Sequence, residues 1–285
     1  MNPIIIIGAP RSGTSFLSRI FSAHPEVEIL VEPRLVWKYG NDAKSDMLSV
    51  NDARPEVSGY IKNYFEVWLT KSGKPYLVEK TPSNALRLDF VHAVFPDAKF
   101  VHILRNGKNS ALSIRQFWQG SSAGFQNIDP KRLGSRLREI RPRQLPYYAR
   151  EFWKRCLGSI QTSRTSKSIG VWGPRLPGLE EMVRDLDLLE VACLQWRFCV
   201  EQACFTGRQL PSNQYMEVRL EDFNQEMMQR VLDFTGLPAD AAVDQKIKEH
   251  FKPGKSSKRI LDVSEDENQI LEKWLRPTLD WLGYE

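Results

Sequence analysis

Short apolar runs alternate along this chain with stretches whose apolar residues recur at helical spacing. Residues 4–7 are four consecutive isoleucines, and runs at 27–30, 76–78, 100–104 and 215–218 have the length of buried strands. After the first run, Phe16, Leu17, Ile20 and Phe21 fall on one helical face, and His24-Pro25 ends that helix before the second run. A second such unit lies in "TPSNALRLDFVHAVFPDAKFVHILR": Ser83 or Asn84 caps a helix carrying Leu86, Val91, Val94 and Phe95, and a Pro96-Asp97 turn leads into a strand. Strands alternating with helices in this way predict an α/β fold, a parallel sheet flanked by helices.

The pattern breaks between residues 119 and 150. The stretch "DPKRLGSRLREIRPRQ" (129–144) is polar and basic, and predicts a surface loop or short lid helix. Helical spacing resumes over 179–205 and over 223–251, with Gly236-Leu237-Pro238 separating two helices, and a final amphipathic helix is expected over 265–282. No repeat or linker divides the chain. Residues 1–285 therefore predict one domain, in which 119–178 form a helical or loop insertion.

Composition narrows this picture only slightly. With 41% hydrophobic residues in 285, the chain can bury a sizeable core. The formal charge of +5 suits an anionic ligand, a nucleic acid or an acidic surface equally. Cys156, Cys193, Cys199 and Cys204 have neither C-x-x-C spacing nor a dense disulfide pattern, so buried thiols and a reducing, cytoplasmic setting are expected. The isoleucine run is far shorter than the ~20 residues of a membrane span and lacks the flanks of a signal peptide, so no membrane span is expected.

The chemistry begins at "GAPRSGTS", residues 8–15, between the first strand and its helix. A Gly-rich turn there presents backbone N–H groups to an anion, aided by the positive end of the helix dipole. The spacing is that of a phosphate loop, G-x-x-x-x-G, but Thr14 and Ser15 follow Gly13 where a nucleotide triphosphatase needs Lys and then its metal-binding hydroxyl. Arg11 supplies the charge from inside the loop. A simple turn after a buried strand is the bland alternative.

The segment "PIIIIGAPRSGTSFLSRIFSAHPEV" resembles the 5′-phosphosulfate loop of sulfotransferases that use 3′-phosphoadenosine 5′-phosphosulfate (PAPS). The resemblance is to the branch of tyrosylprotein and bacterial sulfotransferases, in which Arg replaces the loop Lys of the cytosolic enzymes. It implies a P-loop-like α/β fold and a 5′-phosphosulfate held by Arg11, Ser12, Gly13, Thr14 and Ser15, with 3′-phosphoadenosine 5′-phosphate (PAP) as product and no metal. Phe16 corresponds to an aromatic residue that stacks on adenine in cytosolic members, although its spacing equally fits a core position.

The same resemblance extends to other strand ends. In "FVHILRNGKNSALSI", Arg105 ends a strand and Ser113 follows eight positions on, about two helical turns. This pair matches the family's 3′-phosphate ligands. A further family Arg four residues after the Ser is replaced by Phe117, leaving Arg115 as a substitute. In "LVEKTPSN", Lys80 matches a Lys that contacts the oxygen bridging phosphate and sulfonate, and Pro82 stands where cytosolic members carry a catalytic His. In "VEILVEPRLVW", Glu32 corresponds to the catalytic Glu of the tyrosylprotein-type enzymes, and Pro33 is expected to keep its backbone extended. Lys255, in "FKPGKSSKRI", lies where the family has a basic loop over the 3′-phosphate. His24 and His102 show no metal-ligand spacing.

These readings converge on sulfonate transfer to an acceptor hydroxyl or amine, with Glu32, Lys80 and Arg11 as the catalytic group. The acceptor stays open: a small molecule, carbohydrate, lipid or peptide. Two rivals remain, a P-loop kinase with Glu32 as a metal ligand and a nucleic-acid-binding protein using Lys131 to Arg143. The first lacks its lysine. The second has few aromatic residues for base stacking, so no nucleic acid is expected.

Overall fold

Four consecutive isoleucines suit a strand covered on both faces, and β1 (Ile4–Ile7) is such a strand. Ile4 and Ile6 face one apolar layer while Ile5 and Ile7 face the other, and all four are essentially inaccessible to solvent. This is a computed structural model, and it describes residues 1–121, 141–142, 144–150, 172–250 and 263–284. Its sheet also contains β2 (Val27–Val31), β3 (Tyr76–Lys80), β4 (Lys99–Leu104) and β5 (Tyr215–Arg219). The order is β2-β3-β1-β4-β5, with every neighbouring pair parallel.

That order puts a topological switch at β1. The chain runs from β1 to the edge strand β2, returns through β3, and then crosses to β4 on the opposite side of β1. Ligand crevices in open α/β sheets form at such a switch, beyond the carboxyl ends of the strands. Here the ends are close in register: Ile6 pairs with Lys80, Ile7 with His102, and Val31 with Lys80.

One face of the sheet is covered by α1 (Thr14–Phe21), α8 (Gln225–Thr235) and α9 (Ala241–His250). The other packs against α3 (Pro55–Ser72), α4 (Leu88–Val94), α5 (Gly107–Ser121), α7 (Leu188–Gly207) and α10 (Glu265–Leu282). Asp187 and Glu190 form a capping box that separates α7 from α6 (Leu179–Asp185), so the expected single helix over 179–205 is two. Helix α10 braces α5 through the ion pairs Lys108–Glu272 and Arg115–Glu267. Trp196 of α7 lies so close to Gly107, at the start of α5, that a Cβ there would sit 2.9 Å from the indole ring.

The segment after β3 departs from expectation. Pro82–Arg87 is a 3₁₀ turn, and α4 starts only at Leu88. Ser83 and Asn84 do not cap a helix; both are buried and bond inward, to Arg87 and Glu79. Among the described residues, no helix is long and apolar enough to cross a membrane.

Candidate functional site

The loop leaving β1 turns sharply at two backbone positions. Gly13 has φ 106°, and a Cβ on it would lie 3.0–3.1 Å from the side chains of Leu220 and Ile103. Arg11 has φ 66°, unusual for a residue with a side chain. Ser12 is buried and donates through Oγ to the Ala9 carbonyl at 2.7 Å, tightening the turn, and Thr14 is buried as well. The hydroxyl that faces outward is that of Ser15. Thr14 can therefore meet an anion chiefly through its backbone N–H, which lacks an intrahelical partner in the first turn of α1, whereas the Ser12 N–H is already bonded to the Ala9 carbonyl at 3.2 Å.

Arg11 joins this loop to the end of β4. Its Nε donates to Ser113 Oγ at 2.9 Å, and its carbonyl accepts from Arg105 Nη1 at 2.9 Å. The two residues matched to the 3′-phosphate and the cation matched to the 5′-phosphosulfate thus touch one another. The Arg11 guanidinium also lies over the Phe117 ring, 5.0 Å from its centroid, and Phe117 packs on Trp172 at 4.9 Å. This aromatic pair was not singled out as a unit in the sequence, because its members are far apart in the chain. Arg115, the suggested substitute cation, is instead paired with Glu267.

Glu32 follows β2 directly. Its N–H donates to the Lys80 carbonyl at 2.9 Å, extending the strand pairing by one bond. Contrary to expectation, Pro33 does not hold it extended: Glu32 has φ 52°. The physical reason is the turn after it, where Arg34 N–H donates to Glu32 O at 2.7 Å around Pro33 (φ −72°, ψ 64°), an inverse γ-turn. The turn aims the carboxylate across the ends of the strands. Lys80 Nζ binds Oε1 at 2.7 Å and Arg34 Nη2 binds Oε2 at 2.7 Å, while Lys80 also reaches Ser15 Oγ at 3.3 Å. Burial alone would raise the Glu32 pKa, but Arg34 and Lys80 outweigh it and hold the carboxyl below its ordinary range.

Behind Lys80 lies a buried polar network that the sequence reading missed. Glu79 accepts from Trp37 Nε1 at 3.0 Å, from Asn84 Nδ2 at 3.1 Å and from the Thr81 hydroxyl. Arg87, fully buried, donates to Asn84 Oδ1 at 2.8 Å and pairs with Asp46. Trp37 belongs to the one-turn helix α2 (Arg34–Trp37), so the network ties the turn that carries Glu32 and Arg34 to the strand that carries Lys80. Burial raises the Glu79 pKa to about 7 against the pull of these donors and of Arg87 and Lys80.

Other expected residues stand apart. Phe16 is half-buried and meets Phe223 edge-on, with centroids 5.1 Å apart, as a core aromatic residue would. Lys255 and the stretch 122–140 lie outside the described residues. His24 bonds the Pro238 carbonyl at 3.0 Å. His102, Cys204 and Glu217 have potential ligand atoms within 4.8 Å of one another. Their polar groups are engaged otherwise: Arg208 grips both Glu217 oxygens at 2.9 Å, and Tyr215 OH bridges Glu217 and His102. A cavity of about 430 Å³ lined by Phe198, Phe205 and Trp281 shares no residue with the crevice.

A sequence model of the sulfotransferase family matches residues 3–163. Nodulation protein NoeE of Sinorhizobium fredii is 28% identical over 131 residues, which cover 40% of this chain and 31% of that protein. Human protein-tyrosine sulfotransferase 1 is 28% identical over 124 residues, 39% of this chain and 34% of that protein. The matched stretch thus spans about a third of each of these relatives. Among solved structures, sulfotransferase STF9 from Mycobacterium avium covers the whole chain and 77% of its own at a TM-score of 0.56 and 15% identity. A sulfotransferase from Alicyclobacillus acidocaldarius covers 100% and 97% at 0.54 and 16%. At such identity these structures show the shared P-loop-like fold.

The Glu79 network sets a pH-dependent expectation for stability. A buried carboxyl with a raised pKa disfavours folding once ionised, so its contribution to stability falls as pH rises from the unfolded carboxyl range through about 7. Trp37→Phe removes a donor that chiefly serves the ionised form. Urea unfolding should show a loss of about 1–3 kcal/mol at pH 8, the cost of an unsatisfied buried group, and a smaller loss at pH 6. Equal losses at both pH values would contradict this role for the indole N–H.

Proposed function

This chain belongs to the sulfotransferase family, and on that premise we propose that it transfers a sulfonate from PAPS to an acceptor hydroxyl or amine, releasing PAP. One observation carries the reading: a buried lysine at the end of β3 lies within 2.7 Å of a carboxylate from β2 and 3.3 Å from a hydroxyl on the anion loop of β1. A base, a cation for the leaving oxygen and a phosphate cradle are the three requirements of sulfuryl transfer without a covalent intermediate.

In this reading the N–H groups of residues 13–15 and the Arg11 side chain receive the 5′-phosphosulfate, with Ser12 holding the loop in shape through its two bonds to the Ala9 carbonyl. Arg105 and Ser113 receive the 3′-phosphate, which replaces the contacts they make with Arg11. Glu32 takes the acceptor's proton as the acceptor atom bonds to sulfur. The bond from sulfur to the bridging oxygen breaks, and its electron pair stays on the phosphate oxygen beside Lys80. A carboxylate held by two cations is a weak base, so Lys80 has to exchange Glu32 for the donor before the proton can move. Charge stabilisation comes from Arg11 and Lys80, and the reading assigns no role to a metal. The protein-tyrosine sulfotransferases among the relatives make a hydroxyl on a peptide or small molecule the first acceptor class to test.

Two outcomes are expected. PAP without Mg²⁺ should raise the melting temperature, reflecting about 2.7 kcal/mol of stabilisation at a hundredfold excess over its Kd, whereas Mg·ATP should do much less. Equal stabilisation by Mg·ATP would favour a kinase. Glu32→Gln keeps size and hydrogen bonding but cannot accept a proton, so turnover should fall by roughly 10²–10⁴ while PAP affinity holds. Near-normal turnover in that variant would move the base elsewhere.

A further inference from the structure

Glu32 carries two cations, and only Lys80 was singled out from the sequence. The two hold it differently. Lys80 is 3% exposed and also within reach of Ser15 on the anion loop, so a phosphate bound there competes with Glu32 for it. Arg34 approaches from the far side of the carboxylate and binds the other oxygen. It holds Glu32 twice, by its side chain at Oε2 and by its backbone N–H at the Glu32 carbonyl. Its Nε is buried although 42% of the side chain is exposed, so the bond to Oε2 is what fixes the guanidinium. Behind it, the bond from Trp37 to Glu79 anchors the short helix that Arg34 begins.

Resting on the sulfonate-transfer reading, we propose that Arg34 is the positioning residue for the base. It keeps Glu32 fixed through Oε2 when Lys80 turns to the donor, which leaves Oε1 to take the acceptor's proton. The division of labour follows from the geometry: one cation is shared with the donor loop, and the other is bound into the γ-turn that orients the glutamate. Without Arg34, a Glu32 released by Lys80 would have neither a partner nor a fixed rotamer.

The charged groups acting on Glu32 are Lys80 from β3 and Arg34 from the start of α2, with Ser15 of α1 reaching it only through Lys80. Removing Arg34 withdraws a charge that favours the ionised carboxyl, so the Glu32 titration must move to higher pH. The test compares Arg34→Met and Arg34→Gln, both neutral, with Arg34→Lys, which restores a cation without the planar fork. PAPS turnover, with water as acceptor where no other is known, should fall roughly 10- to 100-fold in the neutral variants, the scale of a misplaced catalytic group. The acidic limb of its pH profile should move up, PAP affinity should stay unchanged, and Arg34→Lys should recover most of both effects.

A second measurement needs no turnover. In PAP-saturated protein, the ¹³C carboxyl signal of Glu32, assigned by its absence in Glu32→Gln, should titrate at higher pH in either neutral variant than in wild type. An unmoved midpoint in whichever neutral variant folds overturns the proposal, as does wild-type turnover with an unmoved acidic limb. If Glu32→Gln itself turns over PAPS normally, the base assignment has failed, and the role of Arg34 falls with it. If Glu32→Gln is inactive and the neutral Arg34 variants behave as wild type, only the role of Arg34 is wrong.

Discussion

Covering four isoleucines on both faces requires a central strand, and in this sheet β1 lies between β3 and β4 with helical layers on either side. The loop that follows β1 consequently opens between Lys80 at one strand end and Arg105 at the other. Residues separated by up to about a hundred positions meet there without any long connection being designed to bring them together: Arg11 touches Ser113 and Arg105, and Ser15 touches Lys80. A parallel sheet with its switch at β1 places these polar ends on one edge because all its strands point the same way.

The crevice is also where the backbone is strained. Among the described residues, Arg11 and Glu32 are the two non-glycine positions with positive φ. Such conformations cost of order 1–3 kcal/mol each and persist only where the surroundings over-determine them. They do so here. Arg105 holds the Arg11 carbonyl, Ser113 its side chain, and Glu32 is held by Lys80 and Arg34 at both oxygens and by the turn at Pro33. The buried Glu79 network extends the constraint, since it joins the helix after Glu32 to the strand under Lys80 through Trp37, Thr81 and Asn84. Backbone strain among the non-glycine described residues is thus concentrated at two residues given roles in the proposed chemistry.

Much of this was legible in the sequence. All five strands were visible as apolar runs: β1, β3 and β4 are buried almost throughout and need no alternation to be recognised, and the edge strands β2 and β5, although partly exposed, keep enough apolar residues to stand out. Lys80, Glu32, Arg11, Arg105 and Ser113 stood out through a family resemblance that specifies spacing from strand ends. What stayed hidden depended on partners distant in sequence. Helix α3 fully buries only Val57, Ile61 and Phe65, with Tyr60, Tyr64 and Leu69 partly buried beside them, although Pro55 and Gly73 mark its ends. Glu79 and Arg87 looked like ordinary charged residues, and nothing local distinguishes a buried carboxylate whose donors come from α2 and the 3₁₀ turn. Pro33 misled for a related reason: the steric rule for a residue before proline is local, and it was overridden by a turn that two ion pairs hold in place.

In the proposed function, one crevice receives a nucleotide with two separated phosphates and, in doing so, parts Lys80 from Glu32. A crystal structure of the protein with PAP tests it most directly. The 5′-phosphate is expected on the N–H groups of residues 13–15, the 3′-phosphate between Arg105 and Ser113 with Arg11 turned away from Ser113, and Lys80 drawn toward the 5′-phosphate while Arg34 still holds Glu32. A nucleotide bound elsewhere, such as in the apolar cavity beside Trp281, or a 3′-phosphate that leaves Arg105 and Ser113 untouched, would contradict it.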